Sequence, residues 1–286
     1  MRIDKTRKIG FCQGVRRAYD MVRENRKFFK PPVYILGDLV HNTYVIQEVK
    51  NWGIKRVGDL SETGYEGTMI ITAHGVSPDI IEKIKTKGLE VVDATCPRVT
   101  FVIQKAVELF NQDRILLVFG NKEHKEVKAI NGAIENKGFV FAELKEIFQN
   151  FSQADLRRKK FGLISQTTRN IDKFKSISEI LKKKIRDLEI QDTICPATYE
   201  RQKEISMKAA QYDLVLVIGS EISQNTKELF KIGKGLNSNV YLIDNERELK
   251  DEWFLGGIDS ILICAGASMP DAVINRVFEQ IKKKLK

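Results

Sequence analysis

Short apolar segments of strand character alternate with longer segments of helical periodicity along most of the 286 residues of this chain. The runs VYIL at Val33 and TMIITAHG at Thr68 are each followed by an amphipathic stretch, and a helix is expected from about Lys125. The same order continues through LEVVDAT, ILLVFG, FGLISQTT, DLVLVIG, NVYLID followed by ERELKDEW, and SILICAGA. Because parallel strands need long, usually helical, crossovers, this alternation predicts an α/β protein with parallel sheets covered by helices.

The composition of the chain argues against a membrane-spanning, a secreted or a nucleic-acid-binding protein. No apolar run approaches the roughly 20 residues that cross a bilayer, and the start MRIDKTRKIGF lacks the apolar core of a secretory signal. Four cysteines without a dense framework fit a reducing compartment, so we expect a cytoplasmic protein that does not span a membrane. The net charge is +10, but the basic residues are interleaved with 38 acidic ones, and the sequence contains no recognised nucleic-acid-binding motif. The charge therefore favours an anionic small substrate or an acidic redox partner over nucleic acid.

Three cysteines lie in separate polar motifs: Cys12 in GFCQGVRRA, Cys96 in DATCPRVT and Cys195 in DTICPATYERQ. Their positions leave gaps of 96 − 12 = 84 and 195 − 96 = 99 residues, which suits one ligand from each third of the chain. Three thiolates suit iron or an iron–sulfur cluster, whose usual complement is four, and one iron would then stay open to substrate. Each motif runs directly into helix-starting sequence, whereas Cys264 lies in the apolar run SILICAGA and is interpreted as a core residue.

Two other uses of these cysteines stay open at this point. Three thiolates and one histidine also make a closed zinc site, although zinc ligands commonly come in short paired spacings. Three separately buried thiols are the simplest alternative, because free cysteine is among the most buried residue types.

The three histidines of the chain, His41, His74 and His124, each lie at a strand-to-helix junction. Imidazole donates hydrogen bonds to phosphate oxygens, and helix N-termini beside the carboxyl ends of parallel strands attract anions. The set therefore suggests a diphosphate site. Glu126, two residues after His124, is a candidate for proton relay near bound phosphate and metal, and its alternative is an ordinary helix-surface carboxylate. Small polar residues at further strand ends are candidates for anion binding, and helix capping, their alternative, uses the same geometry; they are Thr167, Thr168, Ser223, Asn225 and Ser268.

Ten motifs taken together, GFCQGVRRA, VHNTYV, AHGVSPD, DATCPRV, HKEV, SQTT, DTICPAT, ERQ, SQNT and AGASMP, resemble in order and spacing the 4-hydroxy-3-methylbut-2-enyl diphosphate reductase family. The resemblance runs from Cys12 to about Pro270. It implies a cloverleaf of three similar α/β units around a central [4Fe-4S] cluster, with Cys12, Cys96 and Cys195 as ligands and one open iron site.

The resemblance also implies a reaction, namely the reductive removal of an allylic hydroxyl as water to give isopentenyl and dimethylallyl diphosphates in the methylerythritol phosphate pathway. It assigns Glu126 to proton delivery and Thr167 to orientation of the hydroxyl, with reduced ferredoxin or flavodoxin as electron donor. The substrate-binding residues that it implies are His41, His74, His124, Thr167, Thr168, Ser223, Gln224, Asn225 and Ser268.

Two alternatives keep the same cluster: a related iron–sulfur reductase or dehydratase for another phosphorylated alcohol, and a non-catalytic iron–sulfur redox sensor. The expected units are residues 1–96 with Cys12, 97–194 with Cys96 at its edge, and 195–286 with Cys195. Because terminal segments often cross between units in such a cloverleaf, these limits mark thirds of the motif set.

Four positions depart from the family pattern. Gln224 replaces a small residue in the S-x-N run, Lys125 replaces a frequent proline in HPEV, and Asn121 replaces a histidine. Pro196 follows the third cysteine where Tyr or Asn is familiar, and it removes one backbone N–H near that cysteine. Each proposed ligand and the proposed acid are nevertheless present.

Overall fold

The computed structural model describes residues 1–285, which pack into two compact units. The terminal unit contains residues 1–16, 40–49 and the chain from Pro196 onward, and the central unit contains residues 17–39 and 50–195. No helix within the described range is both long enough and apolar enough to cross a membrane.

Twelve strands, all of them short, form the sheets of the described chain. They are β1 (Arg2–Lys5), β2 (Val33–Leu36), β3 (Lys55–Val57), β4 (Thr68–Ile71), β5 (Glu90–Asp93), β6 (Ile115–Phe119), β7 (Phe139–Phe141), β8 (Lys160–Ser165), β9 (Asp187–Ile190), β10 (Leu214–Ile218), β11 (Val240–Ile243) and β12 (Ser260–Ala265).

Eleven α-helices in residues 1–285 connect and cover these strands. They are α1 (Gln13–Asn25), α2 (Thr43–Asn51), α3 (Pro78–Thr86), α4 (Pro97–Phe110), α5 (Lys125–Gly132), α6 (Leu144–Asn150), α7 (Gln153–Arg158), α8 (Ile171–Lys184), α9 (Pro196–Lys208), α10 (Gln224–Lys234) and α11 (Asp271–Lys284).

The strands form three four-stranded sheets, and all the pairings are parallel. The sheet of the terminal unit has the order β1-β12-β10-β11, and the two sheets of the central unit have the orders β5-β4-β2-β3 and β9-β8-β6-β7. In each sheet two buried inner strands are flanked by two outer ones. The predicted α/β class with three parallel sheets is confirmed.

Both faces of the terminal-unit sheet are covered, as expected for a parallel sheet. Along β10, Leu214, Leu216 and Ile218 pack on one face in a cluster with α11, while Val215 and Val217 pack on the other with α9 and α10. Cys264 of β12 lies in this second cluster and is 1% exposed, which confirms its interpretation as a core residue. Burial raises the pKa of its thiol to about 12.

The central unit repeats this construction in its two sheets. Leu116 and Val118 of β6 pack against α4 and α5, while the Phe119 ring stacks on Phe174 of α8 with a centroid separation of 6.3 Å. In the other sheet, Met69 of β4 packs in a cluster with α3. These buried inner strands fix the ends from which the connecting loops emerge.

Helix starts follow their sequence signals closely. Ser77 and Cys96 occupy the N-cap positions of α3 and α4 with proline at the first helical position, and Gly88 follows the end of α3 with φ of +87°. The helix expected over ERELKDEW is wrong. That segment forms two 3₁₀ turns, Glu246–Glu248 and Asp251–Phe254, and the Asn245 side chain caps the start of the first one.

The N-terminal strand pairs with the last strand of the chain, since β1 lies beside β12. The first residues of the predicted segment 1–96 therefore belong to the sheet of the segment 195–286. The limits between residues 96 and 97 and between 194 and 195 stay a prediction.

Candidate active site

The three motif cysteines occupy equivalent places in the three sheets. Cys12, Cys96 and Cys195 each follow an outer strand, β1, β5 or β9, and each directly precede a helix, α1, α4 or α9. Each cysteine is partly exposed, in contrast to the buried Cys264. A thiol at a helix N-terminus is stabilised as a thiolate by the free N–H groups and the helix dipole.

One further hydrogen bond repeats in all three loops. The backbone N–H of each cysteine donates to the carbonyl of the residue that lies two positions after the end of the neighbouring inner strand. The three bonds are Cys12 to Ala267, Cys96 to Ala73 and Cys195 to Thr167, each 3.0 Å long. Each cysteine is thereby fixed to the carboxyl end of its own sheet.

The loop of Cys12 carries additional support within the terminal unit. The backbone N–H of Val15 donates to the Cys12 sulfur at 3.5 Å. Arg201, which is 5% exposed, donates to the Gly10 carbonyl at 2.7 Å, and Gly10 has φ of +78°. This buried arginine therefore holds the turn that leads into the cysteine.

Glu126 and Thr167 form a buried pair in the central unit. Glu126 lies in the first turn of α5 and is 2% exposed, and Thr167 follows β8 and is 5% exposed. The Thr167 N–H donates to Glu126 Oε1 at 2.7 Å, and Thr167 Oγ1 donates to Oε2 at 2.8 Å. A single threonine thus contacts both carboxylate oxygens.

Burial sets the acidity of this glutamate. Removal from water raises the pKa of Glu126 to about 7, against the opposing effect of the two hydrogen bonds from Thr167, which favour the ionised form. Near neutral pH the group therefore populates both its acid and its base form, as a proton-transferring residue requires.

His124 stands at the N-cap of the same helix. Its Nδ1 accepts a hydrogen bond from the Glu126 backbone N–H at 3.2 Å, so Nδ1 carries no proton in this arrangement and the neutral ring has its proton on Nε2. His74 lies edge-on to His124, with ring centroids 5.6 Å apart. Two of the three histidines predicted to bind diphosphate are thus adjacent to each other, and His124 also contacts the backbone of the buried Glu126.

In the terminal unit, two further residues predicted to bind diphosphate lie next to each other. Ser268 Oγ, in the loop after β12, donates to the His41 carbonyl at 3.1 Å. Asn42, which is completely buried, accepts from the N–H groups of Tyr44 and Val45 through its side-chain oxygen and so caps α2. Sequence reasoning omitted Asn42 even though it stands within the VHNTYV motif.

The start of α10 holds the remaining predicted diphosphate residues. Ser223 is the N-cap, and its hydroxyl accepts from the Thr226 N–H at 3.4 Å. Asn225 is 4% exposed, yet its side-chain nitrogen and oxygen both lack a hydrogen-bond partner in the described chain. A buried amide without partners is costly, so its position indicates a place where a ligand supplies the missing bonds.

Other predicted residues have local structural partners. Thr168 Oγ1 accepts from Gln166 Nε2 at 3.0 Å, and Gln166 Oε1 accepts from the Asn121 N–H at 3.1 Å. Gln166, which is fully buried, joins the loops after β6 and β8 and was not predicted from the SQTT motif that contains it. The Gln224 side chain donates to Glu228 at 2.7 Å.

The two remaining departures fit the backbone without disturbing the helix starts. Pro196 is the first residue of α9, where its missing N–H leaves no intrahelical bond unmade. Lys125 is the first residue of α5, and its side chain packs so closely over Gly37 that a Cβ there would lie 1.5 Å from Lys125 Nζ. Burial lowers the pKa of Lys125.

Comparison with known sequences and structures gives the family. The sequence pattern of the LytB protein family matches residues 3–282. The chain belongs to the LytB family. It is 35% identical to 4-hydroxy-3-methylbut-2-enyl diphosphate reductase of Campylobacter lari, over 100% of this chain and 99% of that protein. The Aquifex aeolicus reductase is 35% identical over 96% of this chain and 93% of its own length.

Solved structures of LytB enzymes agree with the fold. One structure of (E)-4-hydroxy-3-methyl-but-2-enyl diphosphate reductase, the terminal enzyme of the non-mevalonate pathway, is 34% identical and covers 99% of this chain and 100% of its own, with a TM-score of 0.71. The structure of the Plasmodium falciparum E-1-hydroxy-2-methyl-but-2-enyl-4-diphosphate reductase is 29% identical, covers 97% of this chain and 87% of its own, and has a TM-score of 0.89.

LytB enzymes carry an iron–sulfur cluster, and the donor groups of this chain fit such a cofactor. Cys12, Cys96 and Cys195 are partly exposed and precede helices, and the Cys12 sulfur already faces a backbone N–H. Thiolates are the usual ligands of iron–sulfur clusters. Cys264 does not fit, because its buried thiol is held in the protonated form.

The titration of Glu126 has a measurable effect on stability. Its pKa in the folded chain, about 7, lies above the ordinary value of 4.5, so between these values the folded chain binds more protons than the unfolded one. Stability is therefore lost as the pH rises from about 4.5 through 7. Glu126→Gln removes this loss, and we expect the unfolding free energy of the variant to fall less than that of the wild type between pH 5 and pH 8 in urea denaturation. The same pH dependence in both proteins would contradict the raised pKa.

Proposed function

We propose that this protein is a 4-hydroxy-3-methylbut-2-enyl diphosphate reductase, which removes the allylic hydroxyl of its substrate and releases isopentenyl and dimethylallyl diphosphates. The observation that carries the proposal is the buried Glu126–Thr167 pair beside His124, together with three equivalent helix-start cysteines. The relatives that share the full length of this chain bear the same enzyme name.

We propose Cys12, Cys96 and Cys195 as the ligands of one [4Fe-4S] cluster. When bound, such a cluster supplies electrons one at a time and an iron that no cysteine occupies. The protein's contribution is to hold each sulfur at a helix start, through the backbone bond to the end of its sheet. Helix N-termini also stabilise the negative charge of the thiolates.

The diphosphate group is proposed to lie against helix starts as well. Nδ1 of His124 caps α5, so the proton of its neutral ring lies on Nε2, and His74 stands beside this ring. In the terminal unit, Asn225 offers an unpartnered amide, and Ser223, His41 and Ser268 lie at the ends of other parallel strands. Neutral donors and partial helix charges bind a diphosphate anion without burying a full counter-charge.

Glu126 and Thr167 are proposed to deliver the proton that leaves with the hydroxyl. The overall reaction consumes two electrons and two protons, because the carbon–oxygen bond becomes a carbon–hydrogen bond and water departs. When Glu126 is protonated on Oε2, Thr167 Oγ1 accepts that proton's hydrogen bond, and the threonine O–H becomes free to donate to the substrate hydroxyl. The pKa of about 7 suits this role.

The electron donor is proposed to be a small acidic protein, reduced ferredoxin or flavodoxin. The net charge of +10 supports this, since a positive surface steers acidic partners to the encounter. A cytoplasmic location stays a prediction.

The direct test of the proposal is turnover of the purified protein. After anaerobic reconstitution with iron and sulfide, we expect oxidation of a reduced viologen dye only when 4-hydroxy-3-methylbut-2-enyl diphosphate is added. An allylic diphosphate without the hydroxyl serves as the control and should give no oxidation. A full cluster without turnover on the named substrate would contradict the proposal and favour a sensor or another phosphorylated alcohol.

Serine substitution of each proposed ligand separates the four cysteines. We expect Cys12→Ser, Cys96→Ser and Cys195→Ser each to lower bound iron and the visible absorption of the cluster, because a serine oxygen is a poor replacement for thiolate at iron. Cys264→Ala should keep the iron content of the wild type, because that thiol packs in the core. Equal iron loss in all four variants, or bound zinc in place of iron, would contradict the assignment.

Substitution of Glu126 separates proton delivery from binding. Glu126→Gln keeps the shape and burial of the side chain, and we expect turnover to fall by about 10²–10⁴-fold, the usual contribution of a general acid. Iron content and diphosphate affinity should stay close to wild type. Glu123→Gln is the matched control, because that carboxylate is 81% exposed in the same loop. Turnover of Glu126→Gln equal to that of the control would remove the proton role.

A further inference from the structure

The first turn of α10 has the features of an anion site, but a carboxylate lies within the same helix. The N–H groups of Gln224 and Asn225 have no intrahelical acceptors, and the buried Asn225 amide has no partner in the described chain. One turn further along, Glu228 is 7% exposed. A buried negative charge so close to an anion-binding helix start opposes anion binding unless another group holds or neutralises it.

Within residues 1–285, Gln224 is the residue that holds the Glu228 carboxylate. No lysine, arginine or histidine of residues 1–285 forms a salt bridge with it, and its hydrogen bond comes from Gln224 Nε2, at 2.7 Å to Oε1. Gln224 and Glu228 are four residues apart and therefore lie on the same side of the helix. The Gln224 side chain reaches forward along α10 to this carboxylate, while its backbone N–H stays at the helix start.

This arrangement explains how the helix start accommodates a side chain as large as glutamine between Ser223 and Asn225. A glutamine with no partner at this position would compete with a bound anion for space. A Glu228 carboxylate with no donor would leave an unbalanced negative charge close to the first turn, which opposes anion binding. The hydrogen bond between the two side chains gives Glu228 a donor and gives Gln224 a partner outside the anion site.

We propose that Gln224 and Glu228 are a matched pair of positioning residues that sets the diphosphate affinity of this chain. Gln224 donates a hydrogen bond to the Glu228 carboxylate and offsets part of its charge, and Glu228 engages the Gln224 side chain so that it does not compete with an anion for the space at the helix start. The inference rests on the proposed function, because it takes the diphosphate of the substrate as the anion at this helix start.

The test is a double-mutant cycle in the reconstituted protein, with inorganic diphosphate as the probe in isothermal titration calorimetry. Gln224→Ala leaves the carboxylate without its donor, and we expect binding about tenfold weaker, the size of a lost hydrogen bond to a charged group. Glu228→Gln keeps an acceptor for Gln224 and removes the charge, so its affinity should equal or exceed that of wild type. The double variant Gln224→Ala/Glu228→Gln should regain most of the lost affinity.

Two readouts distinguish this role from a general structural one. The loss in Gln224→Ala should appear in the KM for the substrate more than in kcat, and the iron content of the reconstituted protein should equal that of wild type. Glu221→Gln is the charge-matched control, because its exposed carboxylate lies in the loop just before α10. Gln224→Ser repeats the measurement with the smaller polar residue and should also weaken binding while Glu228 is present.

The outcomes separate this inference from the proposed function. Equal affinities of wild type and Gln224→Ala, or equally weak binding in Gln224→Ala and the double variant, would overturn the pair while wild-type turnover still supports the reductase. A wild-type protein that neither binds inorganic diphosphate nor turns over the substrate would overturn both.

Discussion

The chemistry of this protein depends on the carboxyl ends of its parallel strands. All strands of a parallel sheet point the same way, so the loops at one edge lead into helix N-termini, where backbone N–H groups remain free. The three cysteines, the three histidines and Ser223 all stand at such ends. Thiolates and phosphates are anionic, and the same unpaired N–H groups stabilise both.

The backbone hydrogen bonds from Cys12, Cys96 and Cys195 to carbonyls after the neighbouring strands repeat this arrangement in all three sheets. They occur at the same place in three four-stranded parallel sheets, each joining the loop after an outer strand to the loop after the inner strand that pairs with it. A polar residue at any of these ends contributes to binding only because two buried inner strands hold the end in place. Glu126 lies deeper than the partly exposed cysteines, and this burial raises its pKa.

The inner strands were predictable because their residues are continuously apolar, as in LVLVI and ILLVF. The outer strands RIDK, KRV and DLEI were not predicted, because edge strands carry charged residues and are defined by their pairing partners. Pairing between β1 and β12 joins residues from the two ends of the chain, and no local pattern signals it.

For the site, sequence patterns and the family resemblance identified the cysteines and histidines by residue type and position. They did not predict that one threonine contacts both oxygens of Glu126, since most glutamates lie on helix surfaces. The bond between Gln224 and Glu228 was not predicted either, because it depends on the direction and burial of two side chains. Asn42, Gln166 and Arg201 stand within quoted motifs, but their role in holding loops becomes visible only from their partners.

The central claim is that three equivalent helix-start cysteines bind one cluster. Anomalous diffraction at the iron absorption edge, from crystals of the anaerobically reconstituted protein, tests this claim most directly. We predict a single cluster of iron atoms bonded to the sulfur atoms of Cys12, Cys96 and Cys195, with Cys264 unbound. Iron held by other residues, or separate metal sites at individual cysteines, would contradict the account.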